Sequence, residues 1–205
     1  MLTELKITEF LSRTASSDPV PGGGSVSALG AAISAALSEM VAGITIGKKG
    51  FESYEKKMME IVQKARGLRE KLTKDIDRDS DAYSQVIEAF RLPNDTEKNK
   101  NRRRQAVQDG FKQAALIPLG VAKDASELLD LAEKAVDRGN KNAVTDAAVA
   151  AMMARTAILG ALFNVKINLT SIKDKNFVED VKSQVQKIQS TVEQKEKDIL
   201  AKIDL

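Results

Sequence analysis

The sequence predicts an all-α protein, a compact bundle of about six helices with its central Ala- and Gly-rich helices closely packed. Three observations carry this. Apolar residues recur every three to four positions through long segments. Aromatic residues make up only 4% of the chain, β-branched runs are short, and 4 prolines punctuate 205 residues. Two segments, SVSALGAAISAALSEMVAG and AVTDAAVAAMMARTAILGAL, are dominated by Ala, Ser and Gly. Such small side chains let helix axes approach closely.

The elements follow in order. Thr8 can cap a short first helix that turns Phe10 and Leu11 inward. Gly22, Gly23, Gly24 and Ser25 open a second helix, about 25 to 45. Gly47 and Gly50 punctuate the loop after it. A third helix runs from about 52 to 91 and stops before Pro93. Thr96 caps a fourth, which Pro118 is expected to kink or break, and which ends near Gly139 as a left-handed C-terminal residue. A fifth covers about 142 to 168, and a sixth about 176 to 203. The sixth carries Val178, Val181, Val185, Ile188, Val192, Ile199 and Ile203 as one stripe. No repeat, low-complexity tail or linker divides the chain, so residues 1–205 are expected to form a single domain.

Composition narrows the chemistry. The chain has no histidine and no cysteine. That excludes serine–histidine and cysteine–histidine nucleophile pairs, disulfides, and the usual zinc ligands. Acid–base work falls to Asp, Glu, Lys or Tyr. The opening residues, MLTELKITEF, lack a basic region followed by an apolar run, so no signal peptide is expected. No apolar stretch approaches the roughly 20 residues that span a bilayer. A cytoplasmic protein without membrane association is the expectation. The net charge is +3, too mild to imply nucleic acid. The run KNKNRRR has no interleaved aromatic residue and no binding motif around it, so no nucleic-acid partner is expected.

Two polar intrusions break the helical stripes. On the third helix, Leu68, Leu72, Ile76, Tyr83, Val86 and Phe90 share a face, and Asp79 lies in its middle. Asp77 and Asp81 point the other way, among Lys74, Ser84 and Glu88. An inward aspartate must be paired, hydrogen-bonded or protonated. Either it bonds another helix or a buried arginine, or it faces a ligand cleft with a pKa suited to proton transfer. On the fifth helix, Asp146, Val149, Ala150, Met153, Ala157, Asn164 and Asn168 share a face, with Arg155 and Lys166 opposite. The polar residues there serve either inter-helix bonding or the ends of a groove for an elongated ligand. The glycine triplet before a helix N-terminus suits an anion or polar heterocycle at close range. It is neither a Walker loop nor GxGxxG.

Four ordered motifs resemble a family. PVPGGGSVSALGAAISAALSEMV, TIGKK, DIDRDSDAYSQVIEAFRLP and GNKNAVTDAAVAAMMARTAILGALFNVKINL are similar to the cyclodeaminase/cyclohydrolase family of folate enzymes. That family includes the cyclodeaminase half of formimidoyltransferase-cyclodeaminase and stand-alone methenyltetrahydrofolate cyclohydrolases. The resemblance covers nearly the whole chain and is weakest after residue 172. It implies an all-helical fold, a homodimer, a tetrahydrofolate crevice, no metal, and no cofactor beyond tetrahydrofolate as the one-carbon carrier. The family's glycine motif falls on Pro21, Gly22, Gly23, Gly24 and Ser25, and its acidic motif on Asp77 and Asp79. Its late motif falls on Gly139, Asn140, Asp146, Asn164 and Asn168. Its basic pair falls on Lys48 and Lys49, which are expected to meet the glutamate tail. At Asp81 the sequence departs from members that carry arginine, and that position is not carried over.

The helical stripe and the acidic motif meet at Asp79, the expected catalytic acid–base group, while Asp77 rests on the motif alone; Asp77, Asp146 or the asparagines are expected to orient Asp79 or the pterin. A non-catalytic helical adaptor, assembling through its Ala-rich faces, is the alternative. It predicts stripes wholly consumed by helix contacts and no folate binding.

Overall fold

A computed structural model describes residues 1–204. Six α-helices account for most of them: α1 Ile7–Thr14, α2 Gly23–Gly43, α3 Glu55–Arg91, α4 Glu97–Arg138, α5 Val144–Leu169 and α6 Lys175–Leu200. Short 3-10 turns at Leu2–Glu4, Glu52–Tyr54 and Lys141–Ala143 precede α1, α3 and α5.

Helices α2 to α5 alternate in direction. Three pairings fix the order around the bundle: Ser25 and Glu39 of α2 bond to Asp79 and to Arg66 and Arg69 of α3. Lys71 of α3 pairs with Asp124 of α4. Asn168 of α5 bonds to Ala114 of α4. Helix α2 therefore lies between α3 and α5, antiparallel to both. Its contact with α5 is built from small residues. Ala28, Ala31, Ala35, Ala154, Ala157 and Ala161 are all buried, and a Cβ at Gly30 would stand 3.7 Å from that of Ala157. Helix α6 closes the outer side of α5 through Val181, Val185, Val192 and Ile199, the stripe expected of it. Arg155 and Glu196 tie the two helices at 3.4 Å.

The loop glycines behave as expected, Gly47 and Gly50 having φ of 72° and 91°, a region costly for other residues. Helix α3 ends at Arg91, with extended Leu92 before Pro93. The Thr96 side chain accepts from the Asn99 N–H and caps α4.

Several expectations need correction. Thr8 lies inside α1, whose N-cap is Lys6, because the 3-10 turn at residues 2 to 4 brings the chain round earlier. Leu11 points outward and is 59% exposed, while Phe10 is buried. Helix α2 starts within the glycine triplet, with Gly22 as N-cap. Gly139 is not left-handed, at φ −77° and ψ 172°. It must be glycine because a Cβ there would meet the Ala135 carbonyl at 2.4 Å and Val41 at 3.1 Å. Pro118 does not interrupt α4, which runs through it. Finally, α2 and the Lys141–Leu169 segment are each long and apolar enough, by length and composition, to cross a membrane. Runs of alanine reach that average without a continuous stretch of large apolar residues. Half of that apolar stretch is buried in each helix.

Candidate active site

One end of the α2–α5 pair gathers glycines, a carboxylate and two amides. Gly22 offers no side chain to cap α2, so the free N–H groups of its first turn need an external acceptor. Asp79 of α3 supplies it. The Ser25 hydroxyl donates to Asp79 Oδ2 at 3.0 Å, and the Ser25 main chain faces the same carboxylate. Gly24 explains how the carboxylate gets so close. A Cβ on Gly24 would stand 2.1 Å from Asp79 Oδ1, so the carboxylate fills the volume a side chain would need. Gly23 is crowded in the same way by Asn164 Nδ2, 3.0 Å from where its Cβ would be.

Gly22, Gly23, Gly24, Asp79 and Asn164 line a cleft of about 360 Å³, together with Pro19, Val20, Tyr83, Ala114, Ile167 and Asn168. Among the described residues Asp79 is its one carboxylate, and their lining carries no lysine or arginine. Burial pushes the Asp79 carboxyl above the ordinary carboxylate value. The Ser25 hydroxyl and main-chain bonds oppose that, and the neighbouring Asp75 charge adds to it. The carboxylate thus bonds a second helix of the bundle and also lines a cleft. Its partial desolvation and uncommitted capacity suit it to carry a proton.

Asn164 donates through Nδ2 to the Gly160 carbonyl at 2.8 Å. Asn168 donates through Nδ2 to Ala114 O and to Asn164 O, each at 2.9 Å. Pro21 and Ser25 are buried beneath this end, Ser25 completely.

The other sequence candidates lie elsewhere. Asp77 faces away from the cleft: the Leu2 main-chain N–H donates to its Oδ1, and the Thr3 hydroxyl to its Oδ2 at 2.7 Å. Its two oxygens hold the N-terminal 3-10 turn, so within one chain Asp77 and Asp79 face different surroundings, as the helical stripe predicts. Lys48, Lys49 and Asn140 lie at the far end of α2, roughly 30 Å from Gly24 by helical rise. There Lys48 Nζ donates to Asn140 Oδ1 at 2.6 Å, and the Asn140 N–H donates to Thr45 Oγ1 at 2.9 Å. Lys49 is exposed. Asp146 opens α5 at that same far end, roughly 27 Å from Asn164. Antiparallel packing thus splits the candidates into two sets that do not meet within one chain.

Two further residues belong to this region beyond the sequence candidates. Tyr83 lines the cleft one turn beyond Asp79, and its i+4 spacing on the same stripe was the available signal. Asp75 is 2% exposed and bonds to Arg78. Burial raises its carboxyl, with the Arg78 charge opposing. It falls on the Leu72–Ile76 face, so the helical stripe could have found it.

Comparison with known proteins adds an independent line. Residues 6–187 match the family described as formiminotransferase-cyclodeaminase. The chain is 37% identical over 174 residues to a methenyltetrahydrofolate cyclohydrolase of Methylorubrum extorquens, covering 85% of this chain and 84% of that one. It is 34% identical over 178 residues to the formimidoyltransferase-cyclodeaminase of Mus musculus, covering 87% of this chain but 33% of that protein. The chain thus spans about a third of the two-activity relative. A crystal structure of formiminotetrahydrofolate cyclodeaminase from Thermotoga maritima matches with a TM-score of 0.88 and 29% identity, over 99% of this chain and 98% of that one.

Proposed function

We propose that this chain, which belongs to the formiminotransferase-cyclodeaminase family, is a folate one-carbon enzyme acting on the carbon held between N5 and N10 of tetrahydrofolate. Its activity is that of a formimidoyltetrahydrofolate cyclodeaminase, a methenyltetrahydrofolate cyclohydrolase, or both. The observation that carries the chemistry is the Asp79 carboxylate, pressed against Gly24 in a cleft that offers no competing cation.

In the deaminase direction, N10 attacks the carbon of the protonated formimino group on N5. A C–N10 bond forms, and the N10 proton must reach the amino group. Ammonia then leaves with its bonding pair, and the 5,10-methenyl cation remains. Asp79 takes the proton from N10 and returns it to the departing nitrogen, so it ends as it began. In the hydrolase direction, water adds to the methenyl carbon, the C–N5 bond breaks and N5 gains a proton. One proton is released and 10-formyltetrahydrofolate results. Asp79 accepts the proton from the attacking water. In both directions the reacting carbon is part of a cation, and a lone partly desolvated carboxylate stabilises it. A pKa above the ordinary carboxylate value brings the group nearer to neutral pH, where proton transfer in both directions is efficient.

The test is to supply each substrate separately. Loss of methenyltetrahydrofolate absorbance above a protein-free blank reads the hydrolase, and ammonia release from formiminotetrahydrofolate reads the deaminase. Asp79→Asn should fold and lower kcat by about 10²–10⁴-fold. Folate affinity should stay within about tenfold, 1.4 kcal/mol. Normal turnover by that variant would remove Asp79 from the chemistry. Silence of the well-folded wild type in both assays would favour the adaptor.

The assembly proposed is a homodimer. Helices α2 and α5 are apolar around most of their circumference, yet the bundle covers only part of it. Val26, Ile33, Met40 and Ile44 form an exposed stripe on α2, and Val149, Met152, Phe163 and Ile167 one on α5. Contiguous exposed apolar surface on this scale marks an interaction site, and a second copy of the chain is the occupant the family reading supports. Sedimentation should give twice the mass of one chain, and Met40→Glu with Phe163→Glu should return it to a single chain.

A further inference from the structure

Pro118 sits in the interior of α4 without ending it. A proline has no N–H, so the carbonyl four residues earlier, that of Ala114, has no donor within its own helix. The side chain of Asn168, on α5, takes that place, donating through Nδ2 to Ala114 O at 2.9 Å. The second hydrogen of the same Nδ2 goes to Asn164 O at 2.9 Å. Both partners are carbonyl oxygens, which only accept, so the amide has one workable orientation. Reversing it would set Oδ1 against two acceptors. Both Asn168 donors are thus spent on protein, and its Oδ1 has no partner among the described residues. Ala114 and Asn168 both line the cleft that holds Asp79.

We infer that Pro118 is a positioning residue of this cleft: by leaving the Ala114 carbonyl free it locks the Asn168 amide, which then presents only an acceptor and selects a ligand with an N–H donor at that point. The donor class is a ring N–H or exocyclic amino group of a flat nitrogen heterocycle. The lock stands on the geometry alone. Only the identity of the donor, on a reduced pterin, rests on the folate reading.

Pro118→Ala restores an N–H that competes for Ala114 O and frees the Asn168 amide. Alanine is the better helix former, so the variant should keep α4 intact, which circular dichroism checks. Hydrogen exchange of the Asn168 side-chain amide, followed by nuclear magnetic resonance on the intact protein, should be slow in wild type and at least about tenfold faster in Pro118→Ala. Rapid exchange in wild type, or equal exchange in both, would overturn the lock without reference to any ligand. With methenyltetrahydrofolate as substrate, Pro118→Ala should raise KM about tenfold and leave kcat within about threefold. In an Asn168→Ala background the same change should move KM less than about twofold, because the two residues act as one unit. An equal rise in both backgrounds would mean that Pro118 acts through general helix geometry, and would overturn the inference. A wild type that neither binds nor turns over folate would defeat the folate reading, while the exchange measurement still decides the lock.

Discussion

The two ends of the α2–α5 pair use similar residues to opposite effect. Each has a glycine whose Cβ is forbidden by a neighbour: Gly24 by Asp79 at one end, Gly139 by the Ala135 carbonyl at the other. Each has a buried or half-buried asparagine and a charged group close by. At the lysine end Asn140 is tied to its neighbours through Oδ1 and its main chain, while its Nδ2 has no partner among the described residues. Its Oδ1 accepts from Lys48 Nζ and from the Asn142 N–H, and its own N–H donates to Thr45. Thr45 in turn donates to the Val41 carbonyl. At the glycine end, Asn168 Oδ1 has no partner among the described residues, and burial raises the carboxyl of Asp79 where it lines an open cleft. Residue type alone does not distinguish a joint from a site. The setting does: Lys48, Thr45 and Asn142 close around Asn140, whereas Asp79 and Asn168 line one cleft.

The sharpest way to break this contrast is Gly24→Ala. The added methyl would overlap the Asp79 carboxylate, so Asp79 must swing away and α2 loses its cap. Activity should fall by at least about 10²-fold, and the melting temperature should also fall; unchanged kinetics would show that the carboxylate does not work from this position. At the lysine end, Asn140→Ala should lower stability by about 1–3 kcal/mol, because it strips a buried acceptor and the cap of the 3-10 turn. Chemical denaturation measures this, and kcat should hold if that end is a joint. A tenfold loss of kcat would mean that the far end reaches a site.

Two smaller effects sharpen the contrast. Asp79 has its carboxyl raised by burial, so its ionised form opposes folding. The stability it contributes is whole below the unfolded carboxylate range and is lost as pH rises through the folded pKa. Asp79→Asn should therefore melt above wild type at neutral pH, and the gap should close as the pH is lowered; melts across that range check the sign. Asp77→Asn should cost about 1 kcal/mol by loosening the Leu2–Glu4 turn, with kcat unchanged within about twofold. A large kinetic defect there would restore Asp77 to the chemistry.

Most of the fold could be read from the chain because helical periodicity is local. A stripe such as Val181–Val185–Val192–Ile199 fixes which face of α6 is covered without knowing by what. Asp79 could be read for the same reason, as an acid interrupting an apolar stripe. What could not be read is set between helices. The spacing of Asp146 and Asn164 along one helix puts them at opposite ends of the bundle, but which neighbours each end meets is not written in it. Asp77 matched a motif, but the segment that claims it is 75 residues away in sequence at Leu2. Pro118 looked like a break because the donor that replaces its missing N–H comes from α5. Asp75 was different, since its position on the buried face was there to be counted.

The overlap between Asp79 and the absent Cβ of residue 24 also has a use beyond this molecule. The two positions share one volume, so they can only change together. A related chain that keeps an aspartate at the first but has gained any side chain at the second cannot hold its carboxylate in the same place. Under the role proposed for Asp79, such a sequence would mark a lineage that kept the bundle and lost the reaction, identifiable from two codons before any protein is purified.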